Sequence, residues 1–288
     1  MKISKLKYDF WIILITIVWG STFFIVKNAI ASLDTYLLVF YRNFIAAFVM
    51  FFVVLFIDKK SLFNKSAIIN GSILGIFLGG MYFTQTIGLK YTSSGHSAFI
   101  ISSAVIMVPI LLTLLYNQKI NRTVLLSIFI VFIGLFVMTY DADIAINIGD
   151  LITVFSAISY AIYIILSGKY VHKSKMLALI AYQFIFCALY SLIAFYVLGG
   201  GVYTPLTNNM AISVVYLGLG GTLFCYFITV WVQKYVSSTK MAIMFTLEPV
   251  FAVLFAYFFA SEQFNLTDFF GASLILCGVV FYNVNREQ

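Results

Sequence analysis

The chain has 288 residues, of which 63% are apolar and only 9% are charged, with a formal net charge of +7. A soluble domain carries about 25% charged residues and a disordered one is poor in aromatics. This chain has 31 Phe, 19 Tyr and a mean hydropathy of +1.06, so both classes are excluded and an all-α integral membrane protein is expected. Its basic residues are spread over separate loops, which argues against nucleic acid and for anionic lipid headgroups as neighbours.

The apolar residues fall in helix-length runs rather than the alternating segments of a barrel wall, and a helix satisfies its own backbone in hydrocarbon. Polar breaks predict ten spans, at 10–29, 36–57, 66–88, 95–117, 122–139, 148–168, 176–198, 210–233, 239–260 and 266–284. At about 1.5 Å per residue each is long enough to cross the hydrocarbon. The joining loops are too short for a soluble catalytic or receptor domain. The first span follows Lys2, Lys5 and Lys7 and ends near Ala29-Ile30-Ala31, as a secretory leader would, but its apolar run exceeds the roughly 7–15 residues of a leader core and it is read as retained.

In chain order, the spans offer few ionisable groups. Span one carries Trp19, and Arg42 lies six residues into span two. Span three sets Gly71, Gly75 and Gly79 at four-residue intervals with Gly80 adjacent, then Tyr82 and Gln85. Span four has His96 near one end and Pro109 within it. His96 is placed to titrate with the outside solution, although a hydrated histidine bonded to Ser93 or Ser94 is the commoner arrangement. The acidic cluster Asp141, Asp143 and Asp150 reads as a solvated loop. Span eight crowds Gly218, Gly220 and Gly221, and span nine holds Glu248 and Pro249.

Charges buried in the membrane need a partner or a water-filled cavity, so Glu248 and Arg42 are candidates either for binding substrate or a coupling proton, or for a structural pair with each other. Trp19, Tyr82 and Gln85 are the candidates for a chamber wall suited to a small amphiphile, with Tyr160, Tyr163, Tyr226 and Trp231 as further aromatics to weigh. Pro109 and Pro249 each remove a helical donor and are expected kinks, with a hinge as one reading. The glycines Gly75, Gly79, Gly80, Gly218, Gly220 and Gly221 are expected at close helix crossings. Cys187, Cys225 and Cys277 fall inside spans, an odd number with no metal spacing, and read as packing residues.

Lys and Arg beside span ends are held on the cytoplasmic side during insertion. With the N-terminus inside, fourteen basic residues lie on that side, only Lys27 and Lys90 lie outside, and Arg42 is intramembrane. Both termini are therefore expected in the cytoplasm. A repeat appears at an offset of 144: Lys90-Tyr91-Thr92-Ser93-Ser94 follows span three and Lys234-Tyr235-Val236-Ser237-Ser238 follows span eight. Five spans per half force the second copy to insert the other way up, so the expectation is a 5+5 inverted repeat, with halves 1–143 and 144–288.

The stretches GLKYTSSGHSAFIISSAVIMVP (88–109) and QKYVSSTKMAIMFTLEPVFAVLFAYFFASEQ (233–263), with Trp19-Gly20-Ser21 and Tyr41-Arg42-Asn43-Phe44, resemble the paired segments of EamA-type transporters in the drug/metabolite transporter superfamily. The resemblance covers essentially the whole chain. It implies a ten-helix carrier of the bacterial cytoplasmic membrane, usually an exporter of amino acids or other small metabolites. One departure is Tyr160, which stands where many relatives repeat the tryptophan of Trp19.

The function expected is secondary transport of an amino acid or related amphiphile by alternating access, with proton coupling through Glu248. The alternatives are an importer of a sugar, nucleoside or cofactor precursor, and a polytopic membrane enzyme, for which no catalytic, metal or phosphate-binding motif is present. No cofactor is implied. The partners expected are a small-molecule substrate and the bilayer, with a homodimer compatible with both.

Overall fold

The computed structural model describes residues 2–139, 147–199, 201, 203, 205–260 and 265–285. They form helices α1 (Lys2–Ala29), α2 (Thr35–Asp58), α3 (Lys65–Gly88), α4 (Ser94–Ser102), α5 (Ala104–Tyr116), α6 (Arg122–Thr139), α7 (Ile148–Tyr170), α8 (Met176–Val197), α9 (Asn208–Tyr216), α10 (Cys225–Val232), α11 (Ser238–Phe245), α12 (Glu248–Ala260) and α13 (Leu266–Asn285). A 3-10 turn, Lys59–Phe63, follows α2, and a π-helical stretch, Leu217–Phe224, joins α9 to α10. The pairs α4–α5, α9–α10 and α11–α12 each make one span. Among the described residues nine spans are long and apolar enough to cross a membrane, and the tenth, on α6, is apolar but shorter.

The polar breaks seen in the sequence act as helix starts. The side chain of Asp34 accepts from Tyr36 N and Leu37 N, Asn64 accepts from Ala67 N, and Asn147 and Asp150 form a reciprocal capping box on α7. These side chains satisfy amide groups that hydrocarbon would leave orphaned. The repeated Lys-Tyr-x-Ser-Ser segments are the same structure twice. Ser93 caps α4 by accepting from His96 N at 3.1 Å, and Ser237 caps α11 by accepting from Lys240 N at 3.3 Å.

Spans four and nine are interrupted at equivalent places. The first breaks at Ser103, whose hydroxyl donates to Ile100 O at 2.6 Å, and the second at Thr246–Leu247, where the Thr246 hydroxyl donates to Ile243 O at 2.6 Å. Such back-bonding offers the chain an alternative to the helical ladder. Pro249 therefore acts differently from the kink expected of it. Pro249 sits in the first turn of α12, where its missing donor is not needed, and the break of span four lies six residues ahead of Pro109, which stays inside α5.

The two halves interlock. Helix α1 packs on α12 as α7 packs on α5, α2 packs on the π-helical stretch as α8 packs on α3, and α6 lies along α13. Glycines set the closest crossings. A methyl at Gly134 would lie 2.8 Å from Gly271 O, and one at Gly20 would lie 2.8 Å from Ala252 N. Of the glycines expected at crossings, a methyl at Gly75 would come 3.1 Å from Cys187 N, at Gly80 3.2 Å from Ser159 Oγ, at Gly218 2.9 Å from Ile45 Cβ, and at Gly221 2.9 Å from Thr22 Cγ2. Gly79 and Gly220 depart from that expectation: their nearest neighbours would be 3.5 and 3.7 Å away, ordinary contact, because these two faces meet side-chain tips instead of a neighbouring backbone. Outward, α2 presents Phe44, Phe48, Phe52 and Phe56 as one exposed stripe at four-residue spacing, which suits lipid.

Gly75→Leu should overpack the α3–α8 crossing at a cost of about 1–3 kcal/mol and lower the yield of monodisperse protein in detergent. Gly79→Ala should leave yield and melting temperature unchanged. Equal behaviour of the two in size-exclusion and thermal-unfolding measurements would contradict this assignment.

Candidate substrate chamber

A closed chamber lies midway through the bundle, and Trp19, Arg42, Tyr82, Gln85 and Glu248 all line it, together with Thr22, Tyr160 and Tyr226. These side chains come from α1, α2, α3, α7, α10 and α12, so both halves contribute. Two aromatics lie elsewhere. Tyr163 is buried beside the chamber with its hydroxyl donating to Gln183 Oε1 at 2.9 Å, and Trp231 packs with Tyr8, Trp11 and Tyr235 towards the N-terminal face.

Trp19 is aimed by its neighbour. Gly20 brings α1 against the backbone of α12, which turns the preceding indole inward, where its Nε1 donates to Gly221 O at 2.9 Å. That acceptor belongs to the π-helical stretch. The ring meets Tyr226 at 5.2 Å, Phe245 at 5.1 Å and Tyr160 at 6.2 Å, all edge-to-face, while Tyr160 and Phe245 stack at 5.9 Å. Edge-to-face packing on three sides fixes the indole plane.

Arg42 is only 3% exposed. Its Nε donates to Thr222 Oγ1 at 2.8 Å and its guanidinium lies over the Tyr82 ring at 4.0 Å. A cation over an aromatic face is held by the ring quadrupole while its remaining donors stay available. Glu248 is 8% exposed and opens α12. It shares the chamber with Arg42, yet among the described residues no ion pair of 4.0 Å or less joins them and the carboxylate accepts no hydrogen bond. The Tyr160 hydroxyl is likewise buried without a hydrogen-bond partner.

The chamber has a volume of about 20 Å³, enough for little more than one water molecule. A cavity of about 490 Å³ opens on the N-terminal face between Leu112, Ile165, Gly168 and Ser238. Between the two lies a gap of about 10 Å³ bounded by Val105, Ile164, Phe245 and Glu248. The stacked Tyr160 and Phe245 rings separate this gap from the chamber.

Acid–base pairs stand at both ends of the bundle. At the N-terminal face the buried Lys240 pairs with Asp9 of α1. At the opposite face His96 Nδ1 lies 3.8 Å from Asp150 Oδ1, which also accepts from Thr92 Oγ1 at 2.5 Å. Asp150 is therefore not part of a solvated cluster: the capping box and Thr92 hold it 7% exposed. Asp141 and Asp143 lie outside the described residues. Neither the Asp9 pairing nor the contact of Thr222 with Arg42 was legible in the sequence, where Lys240 reads as a loop charge and Thr222 as one more small residue near Gly221.

A bundle of apolar helices in two interlocked halves, with polar and aromatic groups converging on a central chamber, is an architecture that membrane transporters use. The model of the EamA-like transporter family matches residues 6–140 and again 147–284, and the chain belongs to that family. It is similar to an uncharacterized transporter of Archaeoglobus fulgidus, 27% identical over 98% of this chain and 87% of that protein. It is also similar to the uncharacterized transporter YoaV of Bacillus subtilis, 26% identical over 93% of this chain and 94% of that one. A crystal structure with 15% identity aligns over 95% of both chains with a TM-score of 0.79, which shows the shared fold. The protein is a multi-pass membrane transporter.

Thr222→Val should free the buried Arg42 Nε and lower stability by about 1–3 kcal/mol, seen as a drop in melting temperature by tryptophan fluorescence. Thr222→Ser, which keeps the hydroxyl, should restore most of it. An unchanged Thr222→Val melting temperature would remove this hydrogen bond from the account of how Arg42 is held.

Proposed function

We propose that the protein is a secondary transporter for a small zwitterionic amphiphile of the amino-acid class, working by alternating access about the central chamber. The observation that carries this reading is that Arg42 and Glu248, a base and an acid, line one chamber without pairing with each other. A buried carboxylate with no protein partner takes its counter-charge from whatever occupies the chamber, a proton or a substrate ammonium. Arg42 retains guanidinium donors for a substrate carboxylate. The Trp19, Tyr82 and Tyr226 faces and the unpartnered Tyr160 hydroxyl suit a molecule with one apolar side and few polar ends.

A chamber of about 20 Å³ is far below the roughly 300–1,000 Å³ of an occupied ligand pocket. Substrate entry therefore requires the walls to separate. The interrupted spans α4–α5 and α11–α12 supply the joints, since each breaks beside the chamber. The strong excess of Lys and Arg on the N-terminal face supports a cytoplasmic position for both termini and insertion in a bacterial cytoplasmic membrane. Export is the direction that the family resemblance implies, and Glu248 is the coupling group.

The test is a melting-temperature screen of purified protein against amino acids, amines, nucleosides and sugars, followed by flux in proteoliposomes. A ligand present at a hundredfold its Kd stabilises the folded state by about 2.7 kcal/mol. An amino acid should raise the melting temperature of the wild type. Removing its carboxylate should mimic Arg42→Ala, and removing its amine should mimic Glu248→Gln. Glu248→Gln should also fold normally and lose flux driven by a pH gradient. A ligand whose effect survives both substitutions would place binding outside this chamber.

A further inference from the structure

We propose that the acid–base pairs Asp9–Lys240 and His96–Asp150 are the two gates of the transport cycle, one closing each face, and that the second is set by protons on its own side of the membrane. The proposal rests on the alternating-access reading above. The repeat itself relates the two pairs. Asp9 and Asp150 are 141 positions apart, as are Trp19 and Tyr160, while His96 and Lys240 are 144 apart, as are the two Lys-Tyr-x-Ser-Ser segments. Each cation is the third residue after its capping serine, Ser93 or Ser237. Each pair ties the first span of one half to the fourth span of the other, α1 to α11 and α7 to α4.

A helix staple needs no twin. Two symmetry-related pairs at opposite faces are what an inverted repeat produces when each face must close in turn, because the arrangement on one face becomes that of the other when the halves exchange shapes. With both pairs in place the central chamber is shut, as the structure shows. Opening a face requires its pair to part.

The two gates differ in chemistry. One base is a lysine and the other a histidine, and histidine is the side chain type whose charge ordinarily changes between about pH 5 and 8. The titratable and charged groups on the elements packed against this end of α4 are Asp150 of α7, Lys27 of α1, whose amine donates to Thr92 O at 3.0 Å, Tyr257 of α12, and Lys90 and Tyr91 in the turn after α3. The described part of α6 near this face carries none. Protonated His96 attracts Asp150 and neutral His96 does so only weakly. Acid on that face should therefore hold it shut and bias the protein towards the state open at the N-terminal face.

The test reads which side the chamber opens to, and needs no substrate. A Gln85→Cys reporter, with Cys277→Ser, is labelled by a membrane-impermeant maleimide in vesicles of both orientations, the chain lacking the reporter serving as control. Asp9→Asn should raise labelling from the N-terminal side and lower it from the other, by about three- to fivefold. Asp150→Asn should do the reverse and abolish dependence on pH. Because Asp150 also caps α7, His96→Gln and His96→Lys provide variants that leave the cap intact. His96→Gln should behave as Asp150→Asn, and His96→Lys should keep the face closed at every pH. If each face is labelled in its turn but the ratio between faces is unmoved by all four substitutions, the pairs are only staples and the gate assignment is overturned. If the reporter reacts from neither face, or from both at once, the alternating-access reading fails and the gates with it.

Discussion

A backbone group in hydrocarbon has no water to bond with, so a membrane-spanning chain leaves the α-helical ladder only where protein can replace the missing partners. Among the described residues this chain does so within three spans: at Ser103, at Thr246–Leu247 and through Leu217–Phe224. All three adjoin the chamber or the gap beside it. In the first two a hydroxyl reaches back three residues to a carbonyl, and in the third a carbonyl is met by the Trp19 indole. The irregular backbone and the polar and aromatic wall thus have one origin.

The same constraint orders the charges. Arg42 is held by Thr222, which belongs to the π-helical stretch, and Glu248 is the first residue after the break in span nine. An α-helix of unbroken pitch would turn these groups to other faces. The glycines around them serve the same end from the packing side, since Gly20 lets α12 come close enough for its first turn to reach the chamber and Gly221 leaves room beside the Arg42 guanidinium.

Much of this was legible in the sequence because hydrocarbon is so restrictive. The helix-length apolar runs gave the spans, the odd number per half gave the inverted repeat, and the rarity of charge inside those runs singled out Arg42 and Glu248, which the structure places on one chamber with Trp19, Tyr82 and Gln85. What escaped were relations that depend on helix rotation. The heights of Arg42 and Glu248, taken from the rise per residue, allow a direct pair, but rise says nothing of which way a side chain faces, and Arg42 turns to Thr222 and Tyr82 instead. The breaks in spans four and nine are set by hydroxyl back-bonding at Ser103 and Thr246, which composition cannot separate from the many other hydroxyls in these spans. Lys240 and Asp150 read as loop charges because each lies within a turn of a helix start, where burial depends on the neighbouring helix.

The crossing of α6 with α13 has a different consequence. A pseudo-two-fold axis sorts the contacts between halves into two kinds. Those off the axis come as twins, such as α1 with α12 and α7 with α5. A helix pair on the axis maps onto itself, and α6 with α13, where last helix meets last helix, is of this second kind: a methyl at Gly134 would meet Gly271 O, and its mate at Gly278 would meet Ser127 O. A self-mapped contact has the same environment in either conformation, so it adds equally to both and drops out of the balance between them. On the alternating-access reading proposed above, substitutions there should change how much protein survives in the membrane and leave the preferred direction of opening untouched.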